Sequence, residues 1–170
     1  MKKILLLAFC LCGFIAVSTA QAKYPHELSL LKNERILKVV LDYSSVVDKL
    51  FVTDDQIVEW NSGKAPKELL KDCMGIINEQ LISHRSNLRA SNLEPSKYKM
   101  LIKVTKLDKH GNTKADISFI DTDLNKVMYA YQEESEGGSH GDLFNLMGDG
   151  IKEMGGNIGD FVGRKTKSRR

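Results

Sequence analysis

Cysteine is scarce in this 170-residue chain, and the three copies lie where they exclude a disulfide-stabilised fold. Cys10 and Cys12 fall within an N-terminal apolar run, which leaves Cys73 as the one cysteine beyond residue 22. A single thiol forms no internal disulfide. The domain must therefore be held together by its hydrophobic core, which a chain of this length can supply.

Recognisable catalytic and metal-binding patterns are also missing. The four histidines are scattered, with no H-x-x-x-H pair of the kind that binds zinc. The glycines at 137–141 lack the spacing and the lysine of a phosphate-binding loop. Asp121–Asn125 matches the first half of a calcium loop, but Lys126 stands where that loop requires glycine. We therefore expect no metal, no cofactor and, more generally, no enzymatic activity.

Long hydrophobic runs are absent except at the N-terminus. Ile4–Val17 is almost wholly apolar, follows Lys2 and Lys3, and precedes Ala20-Gln21-Ala22. This is the pattern of a signal peptide, and the run is shorter than the roughly 20 residues of a membrane-spanning helix. We expect cleavage after Ala22, a periplasmic or secreted protein, and no transmembrane span afterwards. Retention as a membrane anchor is the alternative.

Positive charge is concentrated at the C-terminus. Residues 164–170 carry five basic side chains, whereas residues 23–163 are mildly acidic. We expect a single domain over 23–163 followed by a disordered basic tail over 164–170. The tail has no aromatic residue for base stacking, so nucleic acid is not expected as a partner. Anionic lipid headgroups or another protein are the partners that its charge favours.

Alternation of apolar and polar residues predicts the strands. Residues 34–43 are rich in β-branched and aliphatic side chains, which is typical of a strand. Three further stretches have a period of two and are separated by turn signals rich in Gly, Asn and Asp: 98–105, 115–119 and 127–131. They predict a three-stranded antiparallel meander.

Helices are predicted between the first strand and the meander, and after it. Thr53 and Gln56 form the T-x-x-Q pattern of a capping box, which starts a short helix that runs to about Trp60. A second helix is expected from about Ala65 to Arg89, because apolar residues recur at three- and four-residue spacing there.

The last predicted helix, over about 143–163, is unusually rich in glycine. Nine of the chain's thirteen glycines lie in 137–163, yet apolar residues recur there every three or four positions. Each helical glycine costs about 1 kcal/mol relative to alanine. We expect the glycines that flank the apolar stripe to let the backbone approach the sheet or the other long helix closely: Gly148, Gly155, Gly159 and Gly163. A surface for self-association, giving a homo-oligomer, is the alternative.

Together these elements predict an α/β (α+β) fold. The expected order is strand, short helix, helix, three strands, helix. Strand–helix–strand succession favours a crossover unit that the meander extends. The expected architecture is a two-layer sandwich, with a mixed four-stranded sheet and two main helices on one face.

The run Asn145–Gly150, with Glu136–Gly138 before it and Gly155 and Gly159 after it, resembles an uncharacterised family of small exported proteins from Gram-negative bacteria. Leu41–Ser44 and Tyr98–Leu107 with its following turn are similar to that family as well. In layout the family resembles the small α/β domain that precedes the propeller in TolB. The resemblance implies a two-layer periplasmic domain that binds other proteins or the envelope, and it supplies no catalytic residues.

We therefore expect a non-enzymatic exported domain that acts by binding another envelope protein or the envelope surface. The candidate ligand or partner surface comprises polar residues at the start of the last helix: His140, Asp142, Asn145 and Asp149. The alternative is a small-ligand-binding protein or a hydrolase that uses the glycine-rich loop 133–142, where a histidine stands near a predicted helix N-cap.

Overall fold

The computed structural model describes residues 27–51 and 53–168, so the predicted signal segment 1–22 lies outside the described part. The described chain begins with a 3-10 helix, Glu27–Asn33. The remaining elements, in chain order, are β1 Ile36–Asp42, α1 Val47–Leu50, α2 Asp54–Asn61, α3 Lys64–Ser83, β2 Arg89–Ser91, β3 Tyr98–Leu107, β4 Thr113–Asp121, β5 Lys126–Ser135 and α4 Leu143–Thr166.

The strands form one mixed five-stranded sheet in the order β2-β1-β3-β4-β5. β1 pairs in parallel with both β2 and β3. β3, β4 and β5 form the predicted antiparallel meander. The α+β class is confirmed, but the four-strand count is wrong because the sequence prediction missed β2.

β2 was missed because it is short and stabilised from a distance. It spans three residues, too few to show an alternating pattern. Asn78, on α3, holds its central residue: the side-chain Nδ2 donates to the Ala90 carbonyl at 3.1 Å, and Oδ1 accepts from the Ala90 N–H at 2.8 Å. No local sequence signal announces such a contact.

The prediction for α3 is also wrong at its end, because the helix stops at Ser83 and not near Arg89. Arg85 adopts φ of 57°, and the Ser86 N–H donates to the Leu81 carbonyl at 2.9 Å. This is the hydrogen bond of a Schellman termination. The usual sequence signal for it is glycine, and arginine in that position concealed the stop.

One face of the sheet forms the core with α3 and α4. Alternate residues of β3 and β4 are fully buried, including Met100, Ile102, Ile117 and Phe119, while their neighbours in the strands are more exposed. α3 contributes Cys73, Ile77 and Leu81 to this core, and α4 contributes Met147, Ile151, Met154, Ile158 and Val162.

α2 starts as predicted. The Thr53 side chain accepts a hydrogen bond from the Gln56 N–H, and the Gln56 side chain accepts one from the Thr53 N–H, each at 3.3 Å. α4 also forms where predicted but continues to Thr166, so the expected tail begins inside the helix. Lys167 then forms a bridge with Ser86, which fixes the end of α4 beside the end of α3.

α3 and α4 lie side by side: two glycines of α4 face the backbone of α3, and a third faces the side chain of His84 at its C-terminal end. A Cβ at Gly155 would come within 2.9 Å of the Cys73 carbonyl oxygen. A Cβ at Gly159 would lie 2.9 Å from the Ile77 Cα, and one at Gly163 would lie 2.6 Å from the His84 ring. A side chain at any of the three positions would force a neighbouring atom to move.

Gly148 differs from those three glycines. It is buried, yet a Cβ built there would meet no atom within 4 Å. The expected packing role therefore has no contact to support it at this position, and nothing in the structure explains the glycine.

Among the described residues, no helix combines the length and the hydropathy that crossing a bilayer requires.

Candidate functional sites at the two ends of the sheet

The polar residues predicted as a surface lie near the start of α4, but they serve mainly local structure. Asp142 is the N-cap of the helix, and its Oδ1 accepts from the Asn145 N–H at 2.9 Å. The exposed His140 ring contacts the Ser139 hydroxyl through Nδ1 at 2.7 Å. Asp149 is exposed one turn further along. Asp142 and Asn145 are thus brought together by helix capping.

Cys73 is the one nucleophilic thiol among the described residues, and it is fully buried. Burial raises the pKa of this thiol to about 12. The thiolate, the reactive form of cysteine, is therefore scarce at neutral pH. The arrangement suits a small core residue better than a catalytic one.

β1 and β3 run in the same direction, so both strands start at one end of the sheet and finish at the other. The strand starts of β1 and β2 lie at one end, together with the C-termini of α3 and α4. The β3–β4 turn and the end of β5 lie at the other. Each end carries an open polar groove, and their charges differ.

The basic groove lies at the strand starts and encloses about 520 Å³. It is lined by three cationic residues, one carboxylate, two amides and one aliphatic residue: Lys32, Arg35, Arg89, Glu34, Asn33, Asn87 and Ile36. Arg89 reaches Glu94 at 3.8 Å, whereas Lys32 and Arg35 form no ion pair within the described part of the chain. Unpaired cations at an open groove favour an anionic ligand or surface.

The C-terminal end of α4 adds positive charge beside this groove. Lys167 forms a bridge with Ser86, and the Ser168 N–H donates to the Arg85 carbonyl at 3.4 Å. These contacts fix the C-terminal segment 167–168 next to Asn87 of the groove. Arg164 pairs with Asp160, which also accepts from His84 at 2.9 Å. Lys167 has no such partner among the described residues, so it extends the basic surface.

The acidic groove lies at the opposite end and encloses about 770 Å³. Four carboxylates, two ammonium groups and three neutral polar side chains line it: Asp108, Glu134, Glu136, Glu153, Lys106, Lys114, Asn112, Thr113 and Ser135. Lys114 pairs with Glu134 at 2.7 Å, and this ion pair lowers the pKa of the glutamate. The groove therefore has an excess of two negative charges.

The inner wall of the acidic groove is the contact between β5 and α4. The Glu136 N–H donates to Glu153 Oε2 at 2.8 Å, and Asn157 Nδ2 donates to Glu133 Oε1 at 2.9 Å. Glu153 and Asn157 are one turn apart on α4. Ser135, which pairs with the buried Thr113 of β4, shares the inner face of β5 with Glu133.

Two side chains on this face of β5 lack the polar partners that burial normally requires. The hydroxyls of Tyr131 and Ser135 are buried, and neither has a hydrogen-bond partner in the described structure. Burial, together with the charge of Glu133, raises the pKa of Tyr131. Burial and the nearby Glu153 carboxylate raise the pKa of Glu133, although the Asn157 hydrogen bond opposes the shift.

The sequence predicted no basic groove, and of the acidic groove only Glu134, Ser135 and Glu136 fall within loop 133–142, the predicted alternative ligand site. The sequence predicts a loop that begins at Glu133, but Glu133–Ser135 belong to β5. Residues 132–135 are all polar, so the apolar alternation ends at Tyr131 and no local signal extends the strand to Ser135. Within the described residues, no group of three or more His, Cys, Asp or Glu side chains is arranged to hold a metal ion.

No family model and no curated protein matches the chain. Among solved structures it is similar to PelC from Paraburkholderia phytofirmans, which forms a dodecamer in two crystal forms, one of them of a point variant. The identity is 12% and the TM-score 0.39, with 82% of this chain and 90% or 91% of the PelC chain covered. Similarity this low assigns neither function nor assembly, and the resemblance to the exported family stays a prediction.

Proposed function

We propose that this protein is an exported, non-enzymatic α/β domain that binds an anionic surface of the cell envelope through its basic end. The observation that carries the proposal is the basic groove, with the unpaired Lys32 and Arg35 beside the fixed C-terminal segment. The predicted signal peptide supplies the location.

The charges at this end are suited to a headgroup layer. Each Lys or Arg near an anionic membrane contributes about 1 kcal/mol to binding at ordinary salt. Lys32, Arg35, Arg85, Arg89 and Lys167 are all exposed at this end. Several such contacts give reversible binding without an inserted helix, and the interaction weakens as salt screens it.

The test is sedimentation of the protein recovered from the periplasm with phosphatidylglycerol vesicles, with phosphatidylcholine vesicles as the neutral reference. Mass spectrometry of the same sample reports whether the chain begins at Lys23. We expect the double substitution Arg35→Glu and Arg89→Glu to weaken binding by about 30-fold or more, because two favourable contacts become repulsive.

The matched control is Lys67→Glu with Lys71→Glu, which changes the net charge equally on an exposed face of α3. We expect this control to bind within about threefold of the unaltered protein. Equal loss of binding in both double variants, or binding that persists at 1 M salt, would refute a role for the basic groove.

A hydrolase that uses His140 and Asp142 has weaker geometric support. The Asp142 carboxylate is engaged as a helix cap, and the His140 ring contacts only the adjacent Ser139 side chain among the described residues. The ligand-binding form of that alternative is better supported at Ser135 and Glu136, which line the acidic groove.

A further inference from the structure

We propose that the acidic groove binds an organic cation, a primary ammonium or guanidinium group, between Glu153 of α4 and Ser135 of β5. The site lies at the opposite end of the sheet from the basic groove, so it is independent of the envelope-binding proposal. Both residues line the same open groove of about 770 Å³.

The first observation is an unsatisfied hydroxyl. Ser135 is 7% exposed, lines the groove, and its Oγ has no hydrogen-bond partner in the described structure. Buried polar groups in folded proteins are nearly always paired, and an unpaired one calls for a ligand or a water. A donor-rich ligand would satisfy this oxygen as an acceptor.

The second observation is that carboxylate oxygens in the same groove have no hydrogen-bond donor among the described residues. Glu153 uses Oε2 to accept from the Glu136 N–H. The Oε1 atom of Glu153 accepts no hydrogen bond within the described residues. The Glu136 carboxylate, which lines the same groove, forms no hydrogen bond or ion pair within the described residues. Carboxylates that line one groove disfavour each other's charge, and a cation bound beside Glu136 and Glu153 would relieve this repulsion.

The remaining charges of the groove set its selectivity. Lys114 is neutralised by Glu134 at 2.7 Å, whereas Lys106 also lines the cavity and disfavours a bulky polycation. Asp108 already accepts hydrogen bonds from the His110 and Asn112 N–H groups and from the Asn112 side chain. The accessible acceptors therefore concentrate at the β5–α4 contact.

An organic cation fits these oxygen acceptors better than a metal ion. The described residues provide no cluster of three or more metal-binding side chains. Ammonium and guanidinium groups carry several N–H donors and no acceptor, which complements two carboxylates and a hydroxyl. Hydrogen bonds between charged groups of this kind are about twice as strong as neutral ones.

The experiment is an NMR titration of the full exported chain, followed at the backbone amides of Ser135 and Glu136. The Glu136 N–H donates directly to Glu153, so it reports occupancy of that carboxylate. The probes are ethylammonium, ethylguanidinium, tetramethylammonium and calcium, each as the chloride. We expect saturable shifts with the first two probes and none with tetramethylammonium, which has charge but no N–H donor.

Two further probes distinguish a free amine from an arginine side chain as the natural ligand. Putrescine represents a free amine, and a blocked Gly-Arg-Gly peptide represents an arginine side chain. Tighter binding of either one identifies the source. Equal shifts with tetramethylammonium would reduce the effect to charge alone and overturn the proposal, as would a response to calcium only.

Substitutions at Glu153 and Ser135 test whether the cation binds between these two residues. We expect Glu153→Gln, which keeps an acceptor for the Glu136 N–H, to weaken binding about tenfold or more. Ser135→Ala should weaken binding about threefold to tenfold while keeping the backbone pairing of β5. Glu94→Gln, at the other end of the sheet, is the control with the same chemical change. Unchanged affinity in both groove variants, with intact amide spectra, would overturn the proposal.

Discussion

The start of α4 and its later turns both rely on glycine for close contact, but with different neighbours. At the start, Gly111, Gly137 and Gly150 bring three backbone segments into contact, and Gly111 also needs φ of 80°. Along the later turns, Gly155, Gly159 and Gly163 have no positive φ, and the missing side chains let α3 approach. In both places glycine leaves room for a neighbouring segment, and among these glycines only at Gly111 does a positive φ add a conformational requirement.

The largest loss of stability is expected at Gly150, where the backbone of α4 contacts the backbone of the β3–β4 turn. In Gly150→Ala the new Cβ would overlap the carbonyl oxygen of Gly111, which cannot rotate away because it belongs to the tight β3–β4 turn. We expect a loss of about 3 kcal/mol or more in the free energy of unfolding, measured by urea denaturation. A stability equal to that of the unaltered protein would show that this turn is not held by α4.

A smaller loss is expected at the helix–helix contact. In Gly159→Ala the Cβ would lie 2.9 Å from the Ile77 Cα and 2.8 Å from the Gln80 Cβ. The helices can separate by a few tenths of an ångström, and alanine returns about 1 kcal/mol of helix propensity. We expect a net destabilisation of about 1–2 kcal/mol by the same measurement. A stabilised variant would show that α3 and α4 are not in close contact.

The smallest effect, and the opposite sign, is expected at Gly148. Its Cβ position is open, so Gly148→Ala adds helix propensity without a clash. We expect stabilisation by about 0.5–1 kcal/mol, seen as a higher urea midpoint with an unchanged slope. Destabilisation here would mean that a partner or another element occupies the space beside Gly148. Gly148 would then also be a close-contact glycine, like Gly150 and Gly159.

The sequence predicted the elements whose signals are local. The period-two alternation of β3, β4 and β5, the capping box at Thr53, and the apolar spacing of α4 each arise within a few residues. β2 and the end of α3 escaped prediction because Asn78 and the Schellman termination at Arg85 replaced the expected sequence signals.

The candidate sites depended on the tertiary structure far more than the elements did. Composition indicated that positive charge gathers at the C-terminus, and the signal pattern indicated export. That Lys32, Arg35 and Arg89 form one groove follows only from the parallel pairing of β1 with β2. Likewise, Ser135 and Glu153 share a cavity only because α4 packs along β5.

What the sequence determined by itself was the alternation, the capping and the glycine-rich helical pattern, because steric preference and amphipathicity act between near neighbours in the chain. What only the tertiary structure decided was which glycines touch backbone, which carboxylates meet and which hydroxyl is left without a partner. Those outcomes depend on distances between segments far apart in sequence, and no local pattern encodes such distances.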